Sequence, residues 1–236
     1  MEGLLSGIFM SCVFLLFLIF LRRKYGISIP MMIALHILFT ATGAFGASFG
    51  AVLSGLTWVG KRLHMLIVVD AITLTLLCKL LKKDESHLGD YLAIPVVMVC
   101  AAAKVGCTII GCCHGIVLYE NAQGMQVRFP SQIVELSAWI LLAIGLLFIE
   151  KRREAKGLLW PLAMIWSGVL RFLVDFMRGS LIERTLKIMG LPAGQFWSLF
   201  LTLLGAVYLL RALRKRLSKN PSLKEILCSL FGLKIA

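Results

Sequence analysis

Charge is the first thing this sequence is short of. Asp, Glu, Lys and Arg together make up 16% of its 236 residues, too few to solvate the surface of a globular domain of this size. Acids are scarcer still, 12 against 25 Lys and Arg, for a formal charge of +13. No internal repeat or low-complexity tract stands out, which argues against a transporter built from paired halves. The start of the chain is acidic at Glu2, and no small-residue cleavage site precedes Arg22-Arg23-Lys24. The first apolar run therefore reads as an anchoring helix and not a removable leader. Cysteines fall at Cys12, Cys78, Cys100, Cys107, Cys112, Cys113 and Cys228. That odd count without a repeated spacing excludes a disulfide framework.

What the chain does have is apolar length. Mean hydropathy is +0.90 and 59% of residues are apolar, close to seven spans of ~20 residues each. The expectation is an all-α integral membrane protein with about seven transmembrane helices. Its spans run over Leu4–Leu21, Pro30 to about Val59, His64–Leu81, Tyr91 to about Val117, Ile133–Ile149, Leu158–Met177 and Gly194–Leu210. The second is dense in Gly, Ala and Ser from Gly43 to Gly55, a composition that lets helices approach closely. Residues 1–213 form one transmembrane domain and 214–236 a basic tail. Within the tail, Ser222 to Ile235 has the composition of a surface-lying helix.

The placement of basic residues tests this parse. With the N-terminus outside, inside loops hold 17 Lys and Arg: three at 22–24, three at 79–83, four at 151–156 and seven at 211–234. Outside loops hold six, namely Lys61, Arg62, Arg128, Arg178, Arg184 and Lys187. The excess supports an outside N-terminus and a cytoplasmic C-terminus. It also accounts for the positive charge as topology-setting loops and contact with anionic lipid, not as a nucleic-acid surface.

Ionisable groups inside a bilayer are costly and mark sites by default. Asp70, Lys104, Arg171 and Asp175 fall within spans, with His64, Arg128, Glu135, Arg178 and Gln195 near span ends. Under this topology most of them lie at one level, in the outer half of the membrane. Arg171, Asp175 and Arg178 follow one helical face at i, i+4 and i+7. Arg171 and Asp175 could simply neutralise each other. Yet one or two acids cannot balance Lys104, Arg128, Arg171 and Arg178, and the surplus suits an anionic phospholipid headgroup. Asp70 has Lys104 or Arg171 as candidate partners. His36 reads as a packing histidine, and His87 as a solvated one in an inside loop.

The stretch from Lys104 through Cys107, Gly111, Cys112, Cys113 and His114 to Gly115 raises zinc. Zinc ligands are usually separated by two to four residues, however, and adjacent side chains on a helix point apart. The expectation is no metal, and a glycine-loosened turn that brings backbone close to a ligand or a helix.

At this point the order of motifs resembles the bacterial prolipoprotein diacylglyceryl transferase family, across roughly residues 43–210. Four blocks carry the resemblance. His64 opens a span 26 residues before Asp90. Lys104-Val-Gly-Cys107 to Gly115 is similar to the family's Arg-x-Gly-Asn glycine-rich motif, and 111–115 matches its Gly-Cys-Cys-x-Gly form. Arg128-Phe-Pro-Ser-Gln132-Ile-Val-Glu135 is close to Arg-His-Pro-Ser-Gln-x-x-Glu and is the most specific block. Arg171-Phe-Leu-Val-Asp175-Phe-Met-Arg178, then Gly194-Gln195, follow in the family's order. Departures are the Met65-Leu66 after His64, Lys104 for the motif arginine, Cys107 for its asparagine and Cys112 for its acid. The external head region between Gly115 and Arg128 is also short.

The resemblance implies a transferase of the bacterial inner membrane that needs no cofactor. It would move a diacylglyceryl group from phosphatidylglycerol to the lipobox cysteine of a prolipoprotein and release glycerol phosphate. In that reaction His64, Arg128 and Glu135 would be catalytic: His64 deprotonating the thiol or bonding the headgroup, Arg128 binding phosphate, Glu135 orienting Arg128. Lys104, Gln132, Arg171, Asp175, Arg178 and Gln195 would bind substrate. Two alternatives stay open: a divergent paralogue with another acceptor, or a non-catalytic lipid-binding or transport protein.

Overall fold

A computed structural model describes residues 2–55, 63–121, 123–152, 156–178 and 186–217. The proposed tail helix, Lys61, Arg62 and Arg184 lie outside the described residues. Seven helices are present among those described: α1 (Glu2–Arg22), α2 (Ile29–Leu53), α3 (Leu63–Leu81), α4 (Glu85–Ile110), α5 (Ser131–Glu150), α6 (Leu159–Asp175) and α7 (Ala193–Leu217). Six are long and apolar enough to cross a membrane. The other, α6, has 17 residues, about 25 Å of helix. The chain is a multi-pass membrane protein with an all-α body. Large apolar side chains such as Phe20, Leu80 and Phe148 stay uncovered on its flanks, as lipid-facing surface should.

Helix α4 is the centre. It packs against α1 and α5 along much of its length and also meets α3 and α6, while α2 pairs with α3 and α6 with α7. Tyr91 of α4 is fully buried and donates its hydroxyl to Leu18 O of α1 at 2.9 Å. Small residues set the tightest crossings. A Cβ at Gly46 of α2 would sit 2.8 Å from Met65 O and Val69 of α3, and one at Gly205 of α7 would sit 2.9 Å from Ile165 of α6. The Gly/Ala/Ser run of α2 therefore works as a packing face.

Helix ends differ from the apolar runs for local reasons. Helix α4 starts at Glu85, six residues before Tyr91, because Asp84 caps it by accepting the Ser86 N–H at 3.3 Å. His87 thus lies in its first turn and not in a loop. The helix stops at Ile110, short of Val117, because Gly111 adopts a left-handed φ of 69°. The chain then forms a hairpin, β1 (Val117–Glu120) against β2 (Gln126–Arg128), with Tyr119 opposite Val127. A second, two-residue hairpin, β3 (Lys187–Ile188) with β4 (Leu191–Pro192), leads into α7.

The basic loops gather at one end of the bundle. Lys24 after α1 pairs with Glu150 at the end of α5, and Lys215 of α7 pairs with Asp84 at 3.1 Å. Buried Asp90 accepts the backbone N–H groups of Gly157 and of Leu159, the latter at 3.0 Å. It thereby ties α4 to the start of α6. Both hairpins lie in the connections that leave from the other end.

Candidate functional site: a buried ion cluster beside an apolar cavity

Five ionisable side chains from three stretches of chain meet between α4, α5 and α6. Glu135, on the second turn of α5, is the hub. Its Oε2 takes Lys104 Nζ of α4. Its Oε1 takes Arg171 Nη1 at 2.8 Å and Arg178 Nε at 3.4 Å. Asp175 closes the cluster, 2.8 Å from Arg171 Nη2 and 3.9 Å from Arg178 Nη1. The expected i, i+4, i+7 face is real, although α6 ends at Asp175 and Arg178 follows two turn residues later. All five side chains are 8% exposed or less.

Three cations against two acids leave the cluster one positive charge over. Desolvating such a group is expensive, and an anion that completes the balance would relieve the cost. Beside it lies a cavity of about 760 Å³, walled mainly by apolar and small residues of α1, α2, α3 and α4. Lys104, Arg171 and Arg178 face this space, as do Asp70, Cys107 and Cys113. Gly43, Ala44 and Ala47 of α2 also line it, so the small-residue run serves both the packing face and the cavity wall. An apolar chamber with cations at one side can accept an amphiphile with an anionic head.

Other expected residues stand at different distances from this centre. Gln132 is buried and donates from Nε2 to Cys112 O at 2.6 Å, while Ser131 Oγ donates to Cys113 O at 2.6 Å. Both hold the cysteine turn and do not line the cavity. His64 is buried at the start of α3, but the α3 part of the cavity wall is Leu63, Leu66 and Asp70. Gln195 is buried in the first turn of α7. Asp70 accepts from Thr42 Oγ1 at 3.0 Å and is in no ion pair with Lys104 or Arg171. His36 keeps the packing role, stacked on Phe14 and 3.2 Å from Ser11 Oγ.

Arg128 departs furthest from the expectation. It sits on β2, half-buried, and donates from Nη2 to Gln126 Oε1 at 2.7 Å. Glu135 does not orient it, because the three cluster cations already occupy that carboxylate. The surplus of cations in the cluster is therefore one.

The cysteines depart as well. Of Cys107, Cys112 and Cys113, only Cys107 is on the helix. Gly111 turns the chain and Cys113 takes a φ of 63°, so Cys112 and Cys113 fold back over the last turn. The three sulfurs lie within 4.8 Å of one another. Sequence spacing read along a helix missed this, since the signal was the αL glycine one residue before the pair. Gly115 anchors the far side of the turn. Its N–H meets Phe129 O at 2.9 Å, Ile116 N–H meets Met177 O at 2.9 Å, and a Cβ at Gly115 would lie 2.6 Å from Met177 O.

Comparison with known families decides what this arrangement belongs to. The family model for prolipoprotein diacylglyceryl transferase matches residues 7–211. The chain belongs to that family. Among proteins named phosphatidylglycerol–prolipoprotein diacylglyceryl transferase, it is 29% identical over 156 residues to that of Clostridium tetani, covering 62% of this chain and 61% of that one. It is 33% identical over 106 residues to that of a Wolbachia of Brugia malayi, covering 43% and 40%. It is 30% identical over 140 residues to that of Idiomarina loihiensis, covering 56% and 53%. The chain is thus matched over less than two thirds of each relative's length. Diacylglyceryl transfer is the type of reaction the family carries, and the cluster and cavity lie inside the matched region.

Proposed function

We propose that this protein transfers a diacylglyceryl group from phosphatidylglycerol to the lipobox cysteine thiol of a prolipoprotein, in a bacterial cytoplasmic membrane. The N-terminus faces outward, the basic ends of α1, α3, α5 and α7 face the cytoplasm, and the tail beyond residue 213 lies on that side. The observation that carries this reading is the buried cluster of Lys104, Glu135, Arg171, Asp175 and Arg178 with its one unbalanced positive charge beside an apolar cavity.

The chemistry asks two things of the site. The acceptor thiol must lose its proton, since the thiolate is the nucleophile. Sulfur then attacks the glyceryl carbon that carries the phosphate ester. A C–S bond forms, the C–O bond breaks, and its electron pair leaves with glycerol phosphate. Charge grows on that phosphate, and Lys104, Arg171 and Arg178 meet it in a site already shielded from water. Glu135 and Asp175 hold those cations in place before the ligand arrives. Arg128 reaches the phosphate by exchanging its contact with Gln126. His64 serves as the thiol base or as a hydrogen-bond partner of the headgroup, and Gln132 and Gln195 complete the polar frame.

Purified protein with phosphatidylglycerol and a lipobox peptide, followed by glycerol phosphate release and peptide mass, tests the reading beside Arg178→Ala and Arg128→Ala. The expected result is a thioether-linked diacylglyceryl peptide that Arg178→Ala loses. Phosphate release without lipidated peptide would replace the acceptor. Silence on both readouts from folded protein would make it a lipid binder. A base role for His64 predicts that His64→Gln removes the ascending limb of the pH–rate profile. A headgroup role raises KM and leaves that limb in place.

A further inference from the structure

The turn after α4 gathers three thiols that the transfer chemistry does not use. Cys107, Cys112 and Cys113 place their sulfurs within 4.8 Å of one another. In a tetrahedral zinc site, Zn–S bonds of ~2.3 Å put sulfurs roughly 3.8 Å apart, so a closing movement of about 1 Å completes the set. The scaffold is built and not incidental. Ser131 and Gln132 bind the carbonyls of Cys113 and Cys112, both at 2.6 Å, and the Cys112 N–H reaches Cys107 O at 3.1 Å. Two different helices thus fix the turn, and Gly115 pins its exit against Phe129 and Met177. Cys113 holds a left-handed φ, a conformation that costs a non-glycine residue and persists only where the surroundings impose it.

We propose that Cys107, Cys112 and Cys113 form a three-thiolate site for a thiophilic divalent ion, zinc above all. On binding, the thiols give up their protons to solvent and the sulfurs take the ion. Soft thiolate donors select zinc over magnesium or calcium, which prefer oxygen. Cys107 and Cys113 share the cavity wall with Lys104, Arg171 and Arg178, so the ion is reachable from the cavity. Three protein ligands leave one tetrahedral position open. On the transfer reading, and only on it, that position takes the acceptor thiol from the cavity and holds it as thiolate.

The test uses the full chain in detergent, reduced, stripped with a chelator and titrated with Co²⁺. One equivalent should give intense sulfur-to-cobalt charge-transfer absorption and tetrahedral visible bands, and Zn²⁺ should bleach both. Bound Zn²⁺ should shield three of the seven cysteines from alkylation, counted by mass. Cys107→Ser, Cys112→Ser and Cys113→Ser should each weaken binding by at least the ~10–100-fold seen when even an outer-shell partner is lost. Cys78→Ser and Cys100→Ser should leave it unchanged. Helical content and a monodisperse elution profile show that each variant is folded. Absence of the charge-transfer band in folded, fully reduced wild-type protein would overturn the proposal, as would a band that survives the three serine replacements. Sulfurs found joined as a disulfide that on reduction bind no Co²⁺ would overturn it too. Loss of the fourth-ligand idea is read separately: a lipobox peptide should perturb the cobalt bands and its cysteine-to-serine version should not. Failure of that arm alone removes the fourth-ligand role, and failure of turnover alone does not touch the metal titration.

Discussion

Helix α4 has an ion pair near each end, and the two could hardly differ more. At its start Asp84 meets Lys215 with side chains 56% and 60% exposed. Towards its finish Lys104 meets Glu135 with side chains 5% and 2% exposed. Water and salt screen the first, and such pairs contribute little. The second is joined to two arginines and a second acid away from water. Apolar side chains of similar size would hold helices together at least as well there. The basic end registers helix ends. The buried end accepts a cost that makes sense once an anion is part of the design.

Removing the hub should have the largest effect. Glu135→Ala leaves three buried cations to share Asp175, and the expected loss is ~3–5 kcal/mol, read as a fall in thermal midpoint in detergent. A variant as stable as wild type would mean that the cluster is far wetter than its burial indicates. Arg178→Ala comes next. It removes the excess charge and leaves Arg171 balanced, so folding should survive while turnover drops by ~10²–10³-fold. Measured kcat within a factor of a few of wild type would place phosphate elsewhere.

Asp90→Ala sharpens the contrast, because buried Asp90 accepts the backbone N–H groups of Gly157 and Leu159 at the start of α6. Leaving two N–H groups unanswered should cost ~1–3 kcal/mol with turnover per folded molecule unchanged. Smallest of all is Lys215→Ala, expected under ~1 kcal/mol. Partial burial raises the Asp84 carboxyl, but the hydrogen bonds from Lys215 and the Ser86 N–H outweigh that and hold it below its ordinary value. Because the folded-state value is the lower one, its stabilisation is complete above the ordinary carboxylate range. It fades as pH falls through and below that range. Denaturant midpoints for Lys215→Ala and wild type should therefore converge in acid and separate slightly at neutral pH.

Much of this was legible in the residue order. Long apolar runs bounded by Arg22-Arg23-Lys24, Lys82-Lys83 and Lys151-Arg152 mark helices, because the cost of unpaired backbone in lipid leaves few alternatives. Ionisable residues within those runs pointed to Asp70, Lys104, Arg171 and Asp175 as one group; Lys104, Arg171 and Asp175 join Glu135 in the cluster, while Asp70 accepts from Thr42. What the pattern concealed was which acid each cation takes. Arg128 and Glu135 lie seven residues apart, yet β2 ends and α5 begins between them, and Glu135 turns inward while Arg128 stays with Gln126. The cysteine cluster was hidden for a similar reason. Helical spacing separates Cys112 from Cys113, and one left-handed glycine reverses that. Asp90 was visible as a polar residue at a span end, but its backbone partners lie 67 and 69 residues onward, beyond any local reading.

If the buried cations await a lipid phosphate, the protein should select an anionic phospholipid over its neutral counterpart. Wild-type protein and Arg178→Ala, each in micelles holding equal phosphatidylglycerol and diacylglycerol, would be weighed intact by native mass spectrometry. Wild type should keep phosphatidylglycerol in preference to diacylglycerol, and Arg178→Ala, still folded, should lose the preference. Equal retention of the two lipids by wild type, or an undiminished preference in Arg178→Ala, would show that the buried cations do not hold the phosphate.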